Sequence, residues 1–143
     1  MVRIASTAGL ALAAALASVP AHAETVGYVA ALNAASETPP NGSMGTGDLK
    51  ASYDSDSKVL TYTVTYAGLS GPATAAHFHG PAPAGKAAGV MVPVNGAVAS
   101  PISGKATLTD DQAKALSTGM LYFNVHTADN KGGEIRGQVT KGM

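Results

Sequence analysis

The 143-residue sequence contains no cysteine and no tryptophan, and it has only two phenylalanines. The missing cysteine excludes a disulfide framework and thiol catalysis, so ordinary packing must stabilise the fold. Charge is also scarce, because nine basic and nine acidic residues balance to a formal net charge of zero. No basic patch is present in the sequence, and we therefore expect no nucleic-acid partner.

The most apolar run lies at the N-terminus, where Arg3 precedes residues 10–16. The small-residue triplet Ala21-His22-Ala23 follows, and a charged start, an apolar middle and a small-residue cut are typical of a secretory signal peptide. The apolar run is too short to span a bilayer. We predict a signal peptide at residues 1–23, and residues 24–143 as one periplasmic or secreted domain with no membrane span.

Alternating apolar residues predict strands along most of this domain. The clearest alternation is at residues 58–66, where apolar side chains share one face and threonines share the other. A capping-box pattern at residues 109–112 predicts the start of one short helix. These features predict an all-β fold, an antiparallel β-sandwich or Greek-key barrel, with one short helix. We predict strands at residues 25–32, 47–53, 58–66, 73–79, 90–94, 121–127 and 134–139, and an extended segment within residues 97–108. The predicted core includes Leu60, Tyr62, Val64, Phe78, Leu121, Phe123, Val125 and Ile135.

Three histidines follow the predicted cleavage point, and all of them lie in two short motifs. His77 and His79 flank Phe78 on a predicted strand, so the two-residue period places both imidazoles on one face. Two imidazoles at this spacing favour half of a zinc or copper site. The alternative is a pair of surface histidines beside a buried phenylalanine.

The second motif contains Asn124 and His126, which face away from the core because their apolar neighbours face it. After a turn, Glu134 and Arg136 are predicted to lie on the same side as His126. If the turn is centred near Asn130, Glu134 stands about opposite His126 and can fix the tautomer of its ring. The alternative is a solvated charge pair across two strands.

Both motifs resemble the CHRD domain, the module named after chordin. The first half of the resemblance is Ala76-His-Phe-His-Gly80-Pro81 followed by Val90-Met-Val92, and the second is Phe123-Asn-Val-His-Thr127 followed by Gly133-Glu-Ile-Arg-Gly-Gln138. The resemblance covers essentially the whole domain and implies a β-rich, immunoglobulin-like or sandwich-like fold in secreted proteins. The growth-factor antagonism of chordin does not carry over, since this chain has no cysteine-rich modules.

The histidine pattern is also similar to the copper half of copper/zinc superoxide dismutase, although this chain lacks the cysteine pair and the further histidines of that enzyme. We therefore predict a binding module whose metal ion is copper, with zinc less favoured. One alternative is a structural or interaction module of the cell envelope or matrix, in which the histidines brace a Gly/Pro-rich loop. Another is a copper-dependent, dismutase-like redox enzyme. The predicted ligands are His77, His79 and His126, the predicted supporting residues are Asn124, Glu134 and Arg136, and the weaker candidate ligands are Met44, Met91 and Met120.

Overall fold

The computed structural model describes residues 22–142, so nearly all of the predicted signal peptide lies outside the described residues. Within residues 22–142, no helix combines the length and the hydropathy that a bilayer crossing requires. The strands are β1 (Thr25–Asn33), β2 (Thr46–Asp54), β3 (Val59–Ala67), β4 (Ala73–His79), β5 (Val90–Pro93), β6 (Ile102–Thr107), β7 (Tyr122–Thr127), β8 (Ile135–Gln138) and β9 (Thr140–Lys141). Helix α1 (Asp110–Ser117) lies between β6 and β7, and a 3-10 turn (Ala34–Ser36) follows β1.

All nine strands belong to one antiparallel sheet with the order β5-β4-β7-β8-β1-β2-β3-β6, and β9 pairs with β1. The sheet curls into a nearly closed barrel, which confirms the predicted all-β class. The hairpin of β2 and β3 pairs over its full length, from Thr46 opposite Ala67 to Asp54 opposite Val59. This regular register follows from the strict alternation in both strands.

The core fills the inside of the barrel, and every residue that the sequence predicts to be in the core is buried. The rings of Phe78 and Phe123 meet edge to face at 4.8 Å between centroids, and Tyr62 meets Phe78 in the same way at 5.1 Å. Aromatic pairs favour this geometry, and two phenylalanines therefore anchor the core where β4 and β7 face the interior.

Helix α1 forms as predicted, because Thr109 and Gln112 make a complete capping box. The helix ends before Gly119, whose φ of 72° favours glycine. Its Leu116 is buried in the core, and the Gln112 side chain donates a hydrogen bond to the Met91 carbonyl of β5. The helix thus packs beside the β5 edge of the sheet.

Two elements are absent from the sequence prediction, and one predicted segment is shorter than expected. Strand β6 occupies only the second half of residues 97–108, and β9 has two exposed residues that show no alternation. The 3-10 turn begins where the Asn33 side chain accepts a hydrogen bond from the Ser36 amide. This turn opens the loop of residues 34–45, which with the loop of residues 80–89 lies over the outer face of β7 and β8.

Candidate metal centre

Strands β4 and β7 are neighbours, and their register brings the two histidine motifs together. His77 lies opposite Asn124, His79 lies opposite Tyr122, and His126 lies opposite Ala75. The three histidines therefore project from the same outer face. One nitrogen from each ring lies within 4.8 Å of a nitrogen from the others, so the three imidazoles face one shared space.

Backbone carbonyl groups fix the tautomers of two of the three rings. His126 Nδ1 lies 2.9 Å from the Lys131 carbonyl oxygen, and His79 Nδ1 lies 3.0 Å from the Ala88 carbonyl oxygen. Because a carbonyl oxygen only accepts hydrogen bonds, each Nδ1 carries the proton and each Nε2 keeps its lone pair. Both Nε2 atoms are thus in the form that binds a metal ion.

The third ring completes the group through a short nitrogen–nitrogen contact. His77 Nδ1 lies 3.1 Å from His126 Nε2. Two nitrogen ligands at the usual bond length of about 2.0–2.1 Å from one ion are themselves about 3–3.5 Å apart. The His77–His126 separation therefore matches that of two ligands of a single ion.

Burial favours the neutral form of the His77 and His79 rings, because it lowers the pKa of both. It lowers the pKa of His77, and the neighbouring His126 and His79 lower it further. Burial likewise lowers the pKa of His79, although the hydrogen bond with the Ala88 carbonyl acts in the opposite direction. Neutral imidazole is the form that ligates, so the environment favours metal binding over protonation.

Tyr122 is a site residue that the sequence analysis missed. Its ring stacks on His79 with 5.0 Å between centroids and 4° between planes. Its hydroxyl accepts from the Ala88 amide and lies 3.0 Å from the Ala88 carbonyl oxygen, the same atom that holds His79. The signal was available, since Tyr122 is two residues before Asn124 and shares its strand face.

Arg136 supports the site through the loops rather than through the histidines. Its guanidinium lies 3.4 Å from the centroid of the Tyr122 ring, a cation–π contact. It donates to Thr38 Oγ1 and to the Lys86 carbonyl oxygen, both at 2.8 Å. One buried side chain thus holds both covering loops above Tyr122.

The pairing of Val125 with Ile135 agrees with the register that placed Glu134 about opposite His126, but the predicted contact between the two side chains does not form. Strand β8 begins at Ile135, so Glu134 lies outside the alternation that the prediction assumed. Its buried carboxylate accepts hydrogen bonds from Ser43, Ser70 and Thr127 instead. Burial raises the pKa of Glu134, but these hydrogen bonds outweigh it and bring the pKa down to about 2.

Glu37 is a second residue that the sequence analysis missed. It follows the 3-10 turn in a loop, where no periodic pattern indicates burial, yet it is only 7% exposed. Burial raises the pKa of its carboxyl group, and Arg136 and Asn124 are among the neighbours that oppose this shift. Asn124 itself is 2% exposed beneath the loops.

The three methionines considered as weaker candidate ligands have other surroundings. Met44 is 87% exposed on its loop. Met91 and Met120 pack against the core and line a shallow groove beside Lys114 of helix α1.

Comparison with protein-family models matches residues 28–139 to the CHRD domain. No curated protein and no solved structure gives a significant match to the chain. The matched range runs from β1 to the end of β8 and contains both histidine motifs. The chain therefore belongs to the CHRD-domain family.

Proposed function

We propose that this protein is an exported CHRD binding module that holds one metal ion through His77, His79 and His126. The observation that supports the proposal most strongly is the convergence of three imidazole nitrogens within 4.8 Å of one another. Backbone carbonyls orient two of these rings, an arrangement that metal-binding histidines share.

A purely structural role for the histidines accounts for less of the geometry. Hydrogen bonds from His79 and His126 to backbone carbonyls do brace the adjoining loops. However, His79 Nε2 is buried and has no hydrogen-bond partner in the part of the chain that the structure describes. Buried polar atoms are nearly always partnered, and a metal ion at this position would supply the missing partner.

Copper is the metal that we favour, with zinc second. Within residues 22–142 the cluster contains imidazoles and no carboxylate ligand. Imidazole suits both copper and zinc, and Cu²⁺ binds a given site more tightly than Zn²⁺ does. A bound copper ion would supply one-electron redox chemistry, whereas a bound zinc ion would not.

Export is the second part of the proposal. The sequence begins with the pattern of a signal peptide, and the resemblance to CHRD domains implies a secreted protein. Mass spectrometry of the exported protein should find Glu24 as its first residue. A chain that keeps Met1 outside the cytoplasm would contradict this part.

Calorimetric titration of the mature protein with Cu²⁺ and with Zn²⁺ tests the metal site. We expect one ion per chain and nitrogen couplings in the electron paramagnetic resonance (EPR) spectrum of the copper form. His77→Ala, His79→Ala and His126→Ala should each weaken binding by about tenfold or more, the scale seen even for supporting residues. Met44→Ala is the control, because Met44 is exposed and outside the cluster. Equal affinities in the wild type and the three histidine variants would contradict the proposal.

A further inference from the structure

Three buried polar atoms without hydrogen-bond partners among the described residues come from side chains beside the proposed metal site. They are His79 Nε2, Asn124 Oδ1 and Glu37 Oε1. A native structure holds few such atoms, and neighbouring ones call for a common cause. A missing ion is one such cause when the atoms present lone pairs.

The orientation of the Asn124 amide is fixed by what lies on its Nδ2 side. Asn124 Nδ2 donates to the Gly132 carbonyl oxygen at 3.4 Å. Glu37 Oε1 and Asn124 Nδ2 both converge on Gly133, where a side-chain carbon would overlap the carboxylate and lie 2.6 Å from Nδ2. Rotating the amide by half a turn would place Oδ1 against two acceptors, which is unfavourable.

With this orientation, the Asn124 oxygen and the free nitrogen of His79 are both acceptors. Asn124 is a close neighbour of the three histidines, since it lies directly opposite His77 in the strand register and shares the outer face with His79 and His126. His79 Nε2 has no proton to donate, because its Nδ1 donates to Ala88. Two buried lone pairs on neighbouring groups repel each other in the absence of a cation and are stabilised by one between them.

We propose that Asn124 is a fourth ligand of the metal ion through Oδ1, and that Glu37 is the positioning residue that holds this amide in place. The inference rests on the proposed three-histidine site and deepens it. Three nitrogens and one amide oxygen form a harder donor set than three nitrogens alone. This set favours divalent Cu²⁺ or Zn²⁺ over Cu⁺, which prefers soft sulfur ligands.

The test is the affinity of the mature protein for Cu²⁺ and Cu⁺, together with the EPR spectrum of the Cu²⁺ form. Asn124→Ala should weaken Cu²⁺ binding by about tenfold or more and shift the parallel hyperfine splitting, with a smaller effect on Cu⁺. Glu37→Leu should change the same two quantities in the same direction, because it removes the carboxylate oxygen that disfavours the rotated amide. Glu37→Gln should restore both, since it keeps an oxygen at that position. A purely structural role for Glu37 would leave the EPR spectrum unchanged.

Asn130→Ala is the matched control, because Asn130 lies in the turn after β7 and its hydrogen bonds within residues 22–142 come from its backbone. Wild-type Cu²⁺ affinity and spectrum in Asn124→Ala would overturn the inference. If Asn124→Ala does not fold, Asn124→Asp keeps an oxygen and should bind Cu²⁺ with a shifted spectrum, while an unshifted spectrum would overturn the inference. If the histidine variants lose the metal and Asn124→Ala keeps it, only this inference fails. If the wild type binds neither Cu²⁺ nor Cu⁺, the proposed function fails as well.

Discussion

Both faces of the sheet formed by β4, β7 and β8 are covered, the inner face more completely than the outer, and by different means. On the inner face, Phe78 and Phe123 have no exposed surface and are surrounded by apolar side chains. On the outer face, Asn124 and Arg136 are each 2% exposed beneath loops that hydrogen bonds hold in place. Truncating a side chain on the inner face therefore leaves a cavity, whereas truncating one on the outer face leaves polar groups without hydrogen-bond partners.

The largest effect on stability should come from the inner face. Phe123→Ala removes a fully buried ring that packs on Phe78, and we expect a loss of about 3–5 kcal/mol in the free energy of unfolding. Urea denaturation measures this loss. A loss below about 1 kcal/mol would place Phe123 at the surface and reverse the assignment of the two faces.

A smaller loss in the free energy of unfolding should follow when the buried carboxylate of Glu134 is removed. Glu134→Ala leaves the hydroxyl groups of Ser43, Ser70 and Thr127 without their acceptor. Among these three residues only Thr127 is buried, so we expect one penalty of about 1–3 kcal/mol rather than three. The control is Asp48→Ala on β2, an exposed position where changes within about 0.5 kcal/mol are usual. Equal urea midpoints for the two variants would refute the structural role of Glu134.

The hydroxyl group of Tyr122 should have a still smaller effect. Tyr122→Phe keeps the ring that stacks on His79 and removes the hydrogen bonds to Ala88, so we expect a loss of about 1 kcal/mol. Tyr53→Phe is the matched control, because no hydrogen bond of the Tyr53 hydroxyl is found in the described part of the chain. The rate of hydrogen exchange at the Ala88 amide should rise in Tyr122→Phe and stay unchanged in the control. An unchanged rate in both variants would show that the Tyr122 hydroxyl does not protect the Ala88 amide.

The smallest effect should be the decrease in stability of the metal-free protein as the pH falls from about 6.5 to about 5. The pKa values of His77 and His79 are lowered, so the unfolded chain binds protons first as the pH falls below the ordinary value of 6.5. Stability is therefore full above pH 6.5 and decreases below it. Glu134 adds a second decrease as the pH falls from its ordinary value of 4.5 toward about 2.

Urea midpoints between pH 7 and pH 5 measure the first of these decreases. The double variant His77→Gln/His79→Gln should remove it and keep the second. The same decrease above pH 5 in both proteins would show that other groups cause it.

The same contrast between the faces explains what the sequence could predict. Alternation placed Phe123 inside and His126 outside because both lie within a regular strand, and the capping box at Thr109 is a local signal. The position of Glu134 depends on where β8 begins, and Glu37 reaches the site only through a loop that no periodic pattern describes. Contacts made by loops depend on tertiary structure. The sequence alone therefore could not predict how the two loops cover the polar outer face of the sheet.

The most direct test of the central claim is the metal content of the purified mature protein. We would equilibrate the wild type and the triple variant His77→Ala/His79→Ala/His126→Ala with Cu²⁺ and Zn²⁺, remove unbound metal, and determine metal per chain by native mass spectrometry. The account predicts one ion, preferably copper, in the wild type and none in the triple variant. No retained metal in the wild type, or equal metal content in both proteins, would contradict it.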